Sequence, residues 1–327
     1  MTVEYVIADC LEWLPTLPDN SVDLVIADPP YYKIKSDEWD NQWKTFDEYL
    51  KWLEQVAIEL KRVLKNNGSL YMFGDDHRIA YIQVLLDKYF NFLNHLVWYK
   101  RNNMTIKGAF GFRKYCPVSE RILFYCQTDD WCEWDTTGWD RIKLDVNNFQ
   151  TLRQYFKEFQ EALGITKKEI LETIGQCADH CFRWGSTQWD LPTPETYAEL
   201  CKLPRKEDFK ILEYEQLRLE YEQLRRPFNY EKGMYEVFDI PIIGGKENTD
   251  HPTTKPAELI RQLILNSSNP DAVVLDPFLG SGTTLKACLE TGRNGIGCEK
   301  NQEYEHIIKK RIGQAVVTLD RFDGVKA

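Results

Sequence analysis

No run of apolar residues in this 327-residue chain approaches the roughly 20 that a membrane-spanning helix needs. The amino terminus, Met1-Thr2-Val3-Glu4-Tyr5, lacks the basic and apolar regions of a secretory signal. The nine cysteines are odd in number and irregularly spaced, so they spell out no disulfide framework and suit a reducing cytosol. These absences point to a cytoplasmic protein with no membrane partner. Positive charge is also short: 41 Lys and Arg against 51 Asp and Glu leave a net charge of −10. Phosphate contacts need Lys and Arg, so that figure argues against a nucleic-acid partner unless the charges are segregated.

They are segregated. Between Met1 and Leu60 the only basic residues are Lys33, Lys35, Lys44 and Lys51. From Lys100 to Arg121 the balance reverses, with Lys100, Arg101, Lys107, Arg113, Lys114 and Arg121 against Glu120 alone. Asn102, Asn103, Phe110, Phe112 and Tyr115 are interleaved with them. A solvated loop explains this stretch, and so does a DNA-facing one; beside the motifs that flank it in the chain the second is favoured, with Lys107, Arg113 and Lys114 as phosphate partners.

Hydrophobic content of 43% is ordinary for a globular chain, and the length allows one large or two modest domains. The first 126 residues alternate strand and helix. Strands are expected at Glu4–Ala8, Val22–Ala27, Ser69–Phe73, Leu93–Tyr99 and Ser119–Cys126. Val22–Ala27 is nearly all apolar, as a strand buried on both faces would be. Phe46–Leu64 has helical spacing at Leu50, Leu53, Val56, Ala57, Leu60, Val63 and Leu64, ending near Gly68; Asp75–Tyr89 is the next expected helix. Near the other end, helix (Ala257–Asn266), strand (Ala272–Leu275), helix (Thr283–Thr291), strand (Asn294–Glu299) and helix (Glu303–Arg311) succeed one another. Neither segment has enough strands to close a fold. The two are therefore expected to share one parallel-rich α/β sheet, with ligands at the carboxyl ends of its strands.

Between them lies an insert, residues 127–250. Thr166–Gly175 followed by Gln176–Trp184 has the pattern of a helix-turn-helix, which would put Asp179, His180 and Arg183 on the exposed face of a second helix, able to meet DNA. Any helical hairpin with a Gly turn has the same pattern. Cys177, His180 and Cys181 lack a fourth ligand at metal-site spacing, so structural thiols are the better account. Leu212–Arg218 is repeated without change as Leu219–Arg225, and Tyr214, Leu217, Tyr221 and Leu224 form the stripe of an amphipathic helix.

Two junctions carry chemistry. Val22–Ala27 runs into Asp28-Pro29-Pro30-Tyr31, and the strand near Leu275 runs into Asp276-Pro277-Phe278-Leu279-Gly280-Ser281-Gly282-Thr283. Alone, the first is a rigid loop after a strand, and the second a tight turn or some other nucleotide loop. Together, with His251-Pro252-Thr253-Thr254-Lys255-Pro256 one helix ahead of the Gly loop, they resemble the S-adenosylmethionine-dependent DNA amino-methyltransferases (adenine N6 or cytosine N4) of phage and bacterial DNA modification. The order, catalytic motif first and cofactor loop last, is that of the beta class.

That resemblance implies a Rossmann-like class I methyltransferase sheet, circularly permuted and interrupted by a mostly helical target-recognition insert. It divides the chain into a catalytic half (1–126), the insert (127–250) and a cofactor-binding half (251–327). It assigns Asp28, Pro29, Pro30 and Tyr31 to an amino group on a base flipped out of double-stranded DNA, with no metal. It assigns Asp276, Pro277, Phe278, Gly280, Gly282 and Thr283 to the methionine part of S-adenosylmethionine and the loop beneath it. Glu299 falls to the ribose, Asp9 to the region of the adenine, and Thr253 and Lys255 to the element closing over the methionine end. Asp9 also reads as a plain helix cap before Leu11. Asp28 favours adenine, since relatives acting on cytosine more often carry Ser there. A non-catalytic DNA-binding regulator on the same scaffold is the alternative from another class. A homodimer and a cognate restriction endonuclease are the further partners the resemblance raises.

Overall fold

The computed structural model describes residues 1–32, 42–101, 118–127, 133–134, 140–141, 149–184, 189–229, 235–243 and 254–313. In chain order these form β1 (Val3–Ile7), α1 (Cys10–Trp13), β2 (Val22–Ala27), α2 (Phe46–Val63), β3 (Leu64–Gly74), α3 (Ile79–Leu86), β4 (Asn91–Tyr99) and β5 (Ser119–Cys126). Two short strands, β6 (Glu133–Trp134) and β7 (Asp140–Arg141), precede α4 (Gln150–Leu163), α5 (Lys167–Ile174), α6 (Pro194–Cys201) and α7 (Tyr214–Leu224). Then come β8 (Val237–Asp239), α8 (Ala257–Ser267), β9 (Val273–Asp276), α9 (Thr283–Thr291), β10 (Asn294–Glu299) and α10 (Glu305–Ile312). Among the described residues no helix is long and apolar enough to cross a membrane.

Residues 1–127 and 227–327 make one compact unit and residues 128–226 another. In the first, eight strands form one sheet in the order β1-β10-β9-β2-β3-β5-β4-β8. The run from β1 to β3 is parallel, β5 is antiparallel to both β3 and β4, and β8 lies parallel on β4. Both faces are covered, because the central strands are apolar on both sides. On β2, Val25 and Ala27 join a core that includes residues of α2 and α3, while Leu24 and Ile26 join one that includes residues of α8, α9 and α10. Each fully buried Leu or Ile contributes roughly 1.5–3 kcal/mol through area removed from water. Helix α2 shows the local coding: the Thr45 hydroxyl accepts from Glu48 N at 3.2 Å, acids fill the first turn and Lys61 and Arg62 the last. Its buried stripe is Tyr49, Leu53, Val56, Ala57, Leu60 and Val63.

Three boundaries differ from the sequence expectation. Strand β3 begins at Leu64, directly after α2, because Leu64 pairs with Val22 before a register shift brings Ser69 opposite Leu24. Gly68 therefore lies within the strand. The helix expected from Asp75 begins at Ile79, after a turn held by Asp75, whose carboxylate accepts from His77 N at 2.9 Å. The insert ends as a compact unit at Arg226 rather than at residue 250, since β8 pairs with β4 and so belongs to the large sheet.

The second unit is mostly helical. Helix α5 opens on a capping box between Thr166 and Glu169 and stops at Gly175, whose φ of 106° favours glycine. The second helix of a helix-turn-helix does not form after it. In its place stand two three-residue 3-10 turns, Gln176–Ala178 and His180–Phe182. Ala178, Cys181 and Phe182 are drawn into the core of this unit. Asp179 is ion-paired with Lys167 at 2.5 Å and also with Arg183, so Arg183 is engaged inside the turn. His180 is exposed. On α7, Leu217 and Tyr221 pack into the same core.

Candidate active site

Four adjacent parallel strands, β1, β10, β9 and β2, each lead at the carboxyl end to an acid: Asp9, Glu299, Asp276 and Asp28. With strands about 4.8 Å apart, the four carboxyl groups are arrayed along one edge of the sheet. All four line a single cavity, together with apolar side chains including Ile26, Trp52, Phe73 and Phe278. The Trp52 and Phe278 rings are 5.7 Å apart between centroids and supply an apolar wall.

The loop after β9 is tied by Asp276. One carboxylate oxygen accepts from Phe278 N at 2.9 Å and the other from the Thr284 hydroxyl at 2.5 Å, closing both ends of the loop. Gly280 and Gly282 take φ values of 51° and 77°, and α9 starts directly after Gly282. A Cβ on Gly282 would sit 3.3 Å from Ile308 Cγ2 on α10, so this glycine serves helix packing as well as backbone conformation. Glu299 accepts from Gly280 N and from Asn301 N, each at 2.7 Å. It thereby joins the Gly loop to the end of β10. The neighbouring Gly297 brings the loop closer still: a Cβ there would fall 2.5 Å from Leu279 Cγ, where Leu279 N now donates to Cys298 O at 2.9 Å.

These acids differ electrostatically. Burial pushes the Asp276 carboxyl up to about 7, against hydrogen bonds from Thr284 and Phe278, with Asp28 and Glu299 adding to the rise. Burial also raises Glu299, opposed by the N–H groups of Asn301, Gly280 and Lys300. Burial alone would raise Asp9, yet Lys300 and the Leu11 N–H hold it below its ordinary value. Asp9 is both things the sequence suggested. It caps α1, accepting from Leu11 N at 3.0 Å, and it lines the cavity, with Lys300 Nζ 2.9 Å from its other oxygen.

At the end of β2, Asp28 Oδ1 accepts from the Tyr31 hydroxyl at 2.6 Å and Oδ2 from Lys255 Nζ at 2.5 Å. Pro29 and Pro30 fix their own φ and bring no N–H to compete for those oxygens. Burial, with Asp28 and Glu120 beside it, raises the Tyr31 phenol well above its ordinary range. Lys255, expected at the methionine end of a cofactor, lines the cavity with its ammonium on Asp28 and its carbonyl 3.5 Å from Thr283 Oγ1. It also faces Glu120 at 3.4 Å and the rings of Tyr31 and Phe73 at 5.4 and 5.1 Å. Burial would lower the Lys255 pKa, but Asp28 and Glu120 outweigh it and raise it.

Thr253, Lys107, Arg113 and Lys114 lie outside the described residues. The described basic residues flanking that stretch are paired within the protein: Lys100 with Glu120, Arg101 with Asp239 and Arg121 with Asp76. Glu120, Lys300, Gly297, Trp52 and Phe73 are among the site residues that sequence reasoning missed. The signal for Lys300 was its place right after Glu299. Glu120 was hidden because it read as the lone acid of a basic loop.

The sequence matches the family model described as DNA methylase over residues 22–310. It is 29% identical over 328 residues to the type II methyltransferase M.HinfI of Haemophilus influenzae, covering 93% of this chain and 66% of that protein. It is 27% identical to the DNA adenine methyltransferase YhdJ of Escherichia coli (strain K12), covering 94% of this chain and 81% of the relative. Among solved structures, the M1.HpyAVI–SAM complex superposes with a TM-score of 0.55 at 21% identity, over 95% of this chain and 100% of that one. The PvuII DNA methyltransferase, cytosine-N4-specific, gives 0.55 at 15% identity, over 99% and 90%. At such identities the structural likeness is one of fold.

Proposed function

This chain belongs to the DNA methylase family of amino-methyltransferases, and from that premise we propose that it methylates the N6 amino group of adenine in duplex DNA. The observation carrying this reading is Asp28 on the carboxyl end of β2, at the rim of a cavity whose other three acids sit on β9, β10 and β1. S-adenosylmethionine fits that cavity chemically. Asp276 is buried without a cation beside it among the described residues, which suits a positively charged ligand; Glu299 suits ribose hydroxyls, and the Trp52–Phe278 wall suits a purine. In this assignment Asp276, Phe278 and the 280–283 loop hold the methionine part, Glu299 the ribose, and Asp9 the neighbourhood of the adenine. When bound, the cofactor supplies an electrophilic methyl group on its sulfonium.

The chain's own residues address the weak nucleophile. An exocyclic amino group is unreactive because its lone pair is delocalised into the ring. Asp28 accepts one of its N–H bonds and the Pro29 carbonyl a second, which pulls the nitrogen toward tetrahedral geometry. Tyr31 stacks on the extruded base. Positioning then supplies much of the rate. The unit of residues 128–226 is assigned to reading the DNA. Adenine is favoured over cytosine by Asp at position 28 and by the adenine specificity named for YhdJ. Incubating unmethylated DNA with protein and cofactor, then analysing nucleosides by mass spectrometry, is expected to return N6-methyladenine. N4-methylcytosine would move the target to cytosine, and no incorporation would favour a non-catalytic regulator.

The Asp276 pKa gives a pH dependence. A carboxyl raised from about 4 when unfolded to about 7 when folded contributes stability that is full below pH about 4 and lost as pH rises through 7. The free protein is therefore destabilised by this group as pH rises through that value. A cationic ligand prefers the ionised form, so cofactor affinity should rise over the same interval, by at most about tenfold per pH unit. Calorimetry at several pH values should show this for the parent and a flatter profile for Asp276→Asn. A flat parent profile would remove Asp276 from the cofactor's surroundings.

A further inference from the structure

Each oxygen of Asp28 already accepts one hydrogen bond, one from the Tyr31 hydroxyl and the other from Lys255. Each oxygen can accept a second hydrogen bond, but an amino group donating to Oδ2 meets the ammonium already held there. The Lys255 ammonium is the group that competes for that carboxylate, since it sits directly on Oδ2 and is buried, with its side chain 9% exposed. A desolvated ammonium cannot simply let go, because an unpaired buried charge is heavily penalised. A second acceptor is in place. Glu120 Oε2 is buried, accepts no hydrogen bond from the described residues, and faces Lys255 Nζ at 3.4 Å. A charge-assisted N–H···O contact closes at about 2.8 Å, so a shift of about 0.6 Å from 3.4 Å completes it and lengthens the Asp28 contact by up to the same amount. Meanwhile the faces of Tyr31 and Phe73 flank the ammonium, which keeps it in a favourable field as it moves. Glu120 is itself held in place by Lys100 from the end of β4. Two ammonium and two carboxylate groups thus balance in charge wherever Lys255 sits.

We propose that Glu120 is a positioning residue that draws the Lys255 ammonium from Asp28 toward itself when the target base enters, leaving more of Asp28 Oδ2 to the amino group. The inference rests on the methyltransferase reading above. No proton is transferred in the handover; the ammonium, already ion-paired with both carboxylates, shifts from the nearer toward the farther. Sequence separation conceals the arrangement, since Lys255 is 227 positions from Asp28. It also gives Lys255 a role at the reacting end of the pocket.

The test uses the full-length protein in single-turnover methylation, with cofactor and DNA affinities measured separately. Glu120→Gln leaves Lys255 on Asp28 and is expected to slow transfer by about 10²-fold, with both affinities within a factor of about two of the parent. Glu120→Asp, which keeps the charge, should recover most of the rate. In a Lys255→Gln background, where no ammonium needs a seat, Glu120→Gln should have little further effect, so the two changes are non-additive. A parent-like rate for Glu120→Gln overturns the proposal, and so does full additivity. Should Glu120→Gln fail to fold, the parent decides: a structure with a target duplex bound should show Lys255 Nζ closer to Glu120 than to Asp28, and Nζ still closer to Asp28 refutes the handover. A parent inactive on every DNA would instead strike the underlying functional reading.

Discussion

Replacing Asp28 by Ala is expected to lower methyl transfer by about 10²–10⁴-fold, the range for removing a preorganised electrostatic group. Cofactor affinity should stay within a factor of about two, because the Gly loop and Glu299 belong to β9 and β10 and are held by bonds that do not involve Asp28. The variant should still fold. Lys255, losing one partner, retains Glu120 on its other side. Asp28→Asn sharpens the comparison, since it keeps the size of the side chain and an oxygen for Tyr31 while removing the charge. Radiolabelled methyl transfer and calorimetry on the same preparations give both readouts. Residual activity within about twofold of the parent would mean that Asp28 does not polarise the amino group.

The second large effect is expected at the cofactor cradle. Glu299→Ala removes the acceptor of two backbone N–H groups, those of Gly280 and Asn301, as well as the carboxylate assigned to the ribose. An unsatisfied buried donor costs about 1–3 kcal/mol, so the Gly loop itself loosens and cofactor affinity should fall by about 10²-fold or more. Gly282→Val acts by another route. Its φ of 77° is strained for a β-branched residue, and its Cβ would press on Ile308 at 3.3 Å, so melting temperature and affinity should fall together. Calorimetry and thermal unfolding separate the two cases. Unchanged affinity in both variants would place the cofactor elsewhere.

The local junctions were legible in the sequence because each is coded within a few residues. An apolar run makes β2, and Asp28-Pro29-Pro30-Tyr31 ends it; Asp276 closes its own loop through Phe278 and Thr284, and Gly280 and Gly282 supply the backbone conformations the turn requires. Those spacings, with the order of the two motifs, were enough to expect one α/β sheet built from both ends of the chain. The alternation of strands and helices says nothing, however, about which charge meets which. Glu120 came to Lys255, and Lys100 to Glu120, only because β5 lies antiparallel between β3 and β4. The same packing paired Arg101 and Arg121 with Asp239 and Asp76 beside a stretch that looked outward-facing. In the insert, the helix-turn-helix pattern suggested a second helix after Gly175, but two 3-10 turns stand there, with Ala178, Cys181 and Phe182 buried. Residue 250 was the expected end of the insert because three residues of β8 are too few to read as a strand until β4 offers an edge to pair with. Sequence by itself determined the chemical groups and the turns that present them, since those depend on neighbours along the chain. Tertiary structure alone decided the pairing of buried charges, because desolvation makes every ammonium and carboxylate depend on whichever strand lies next to it in space.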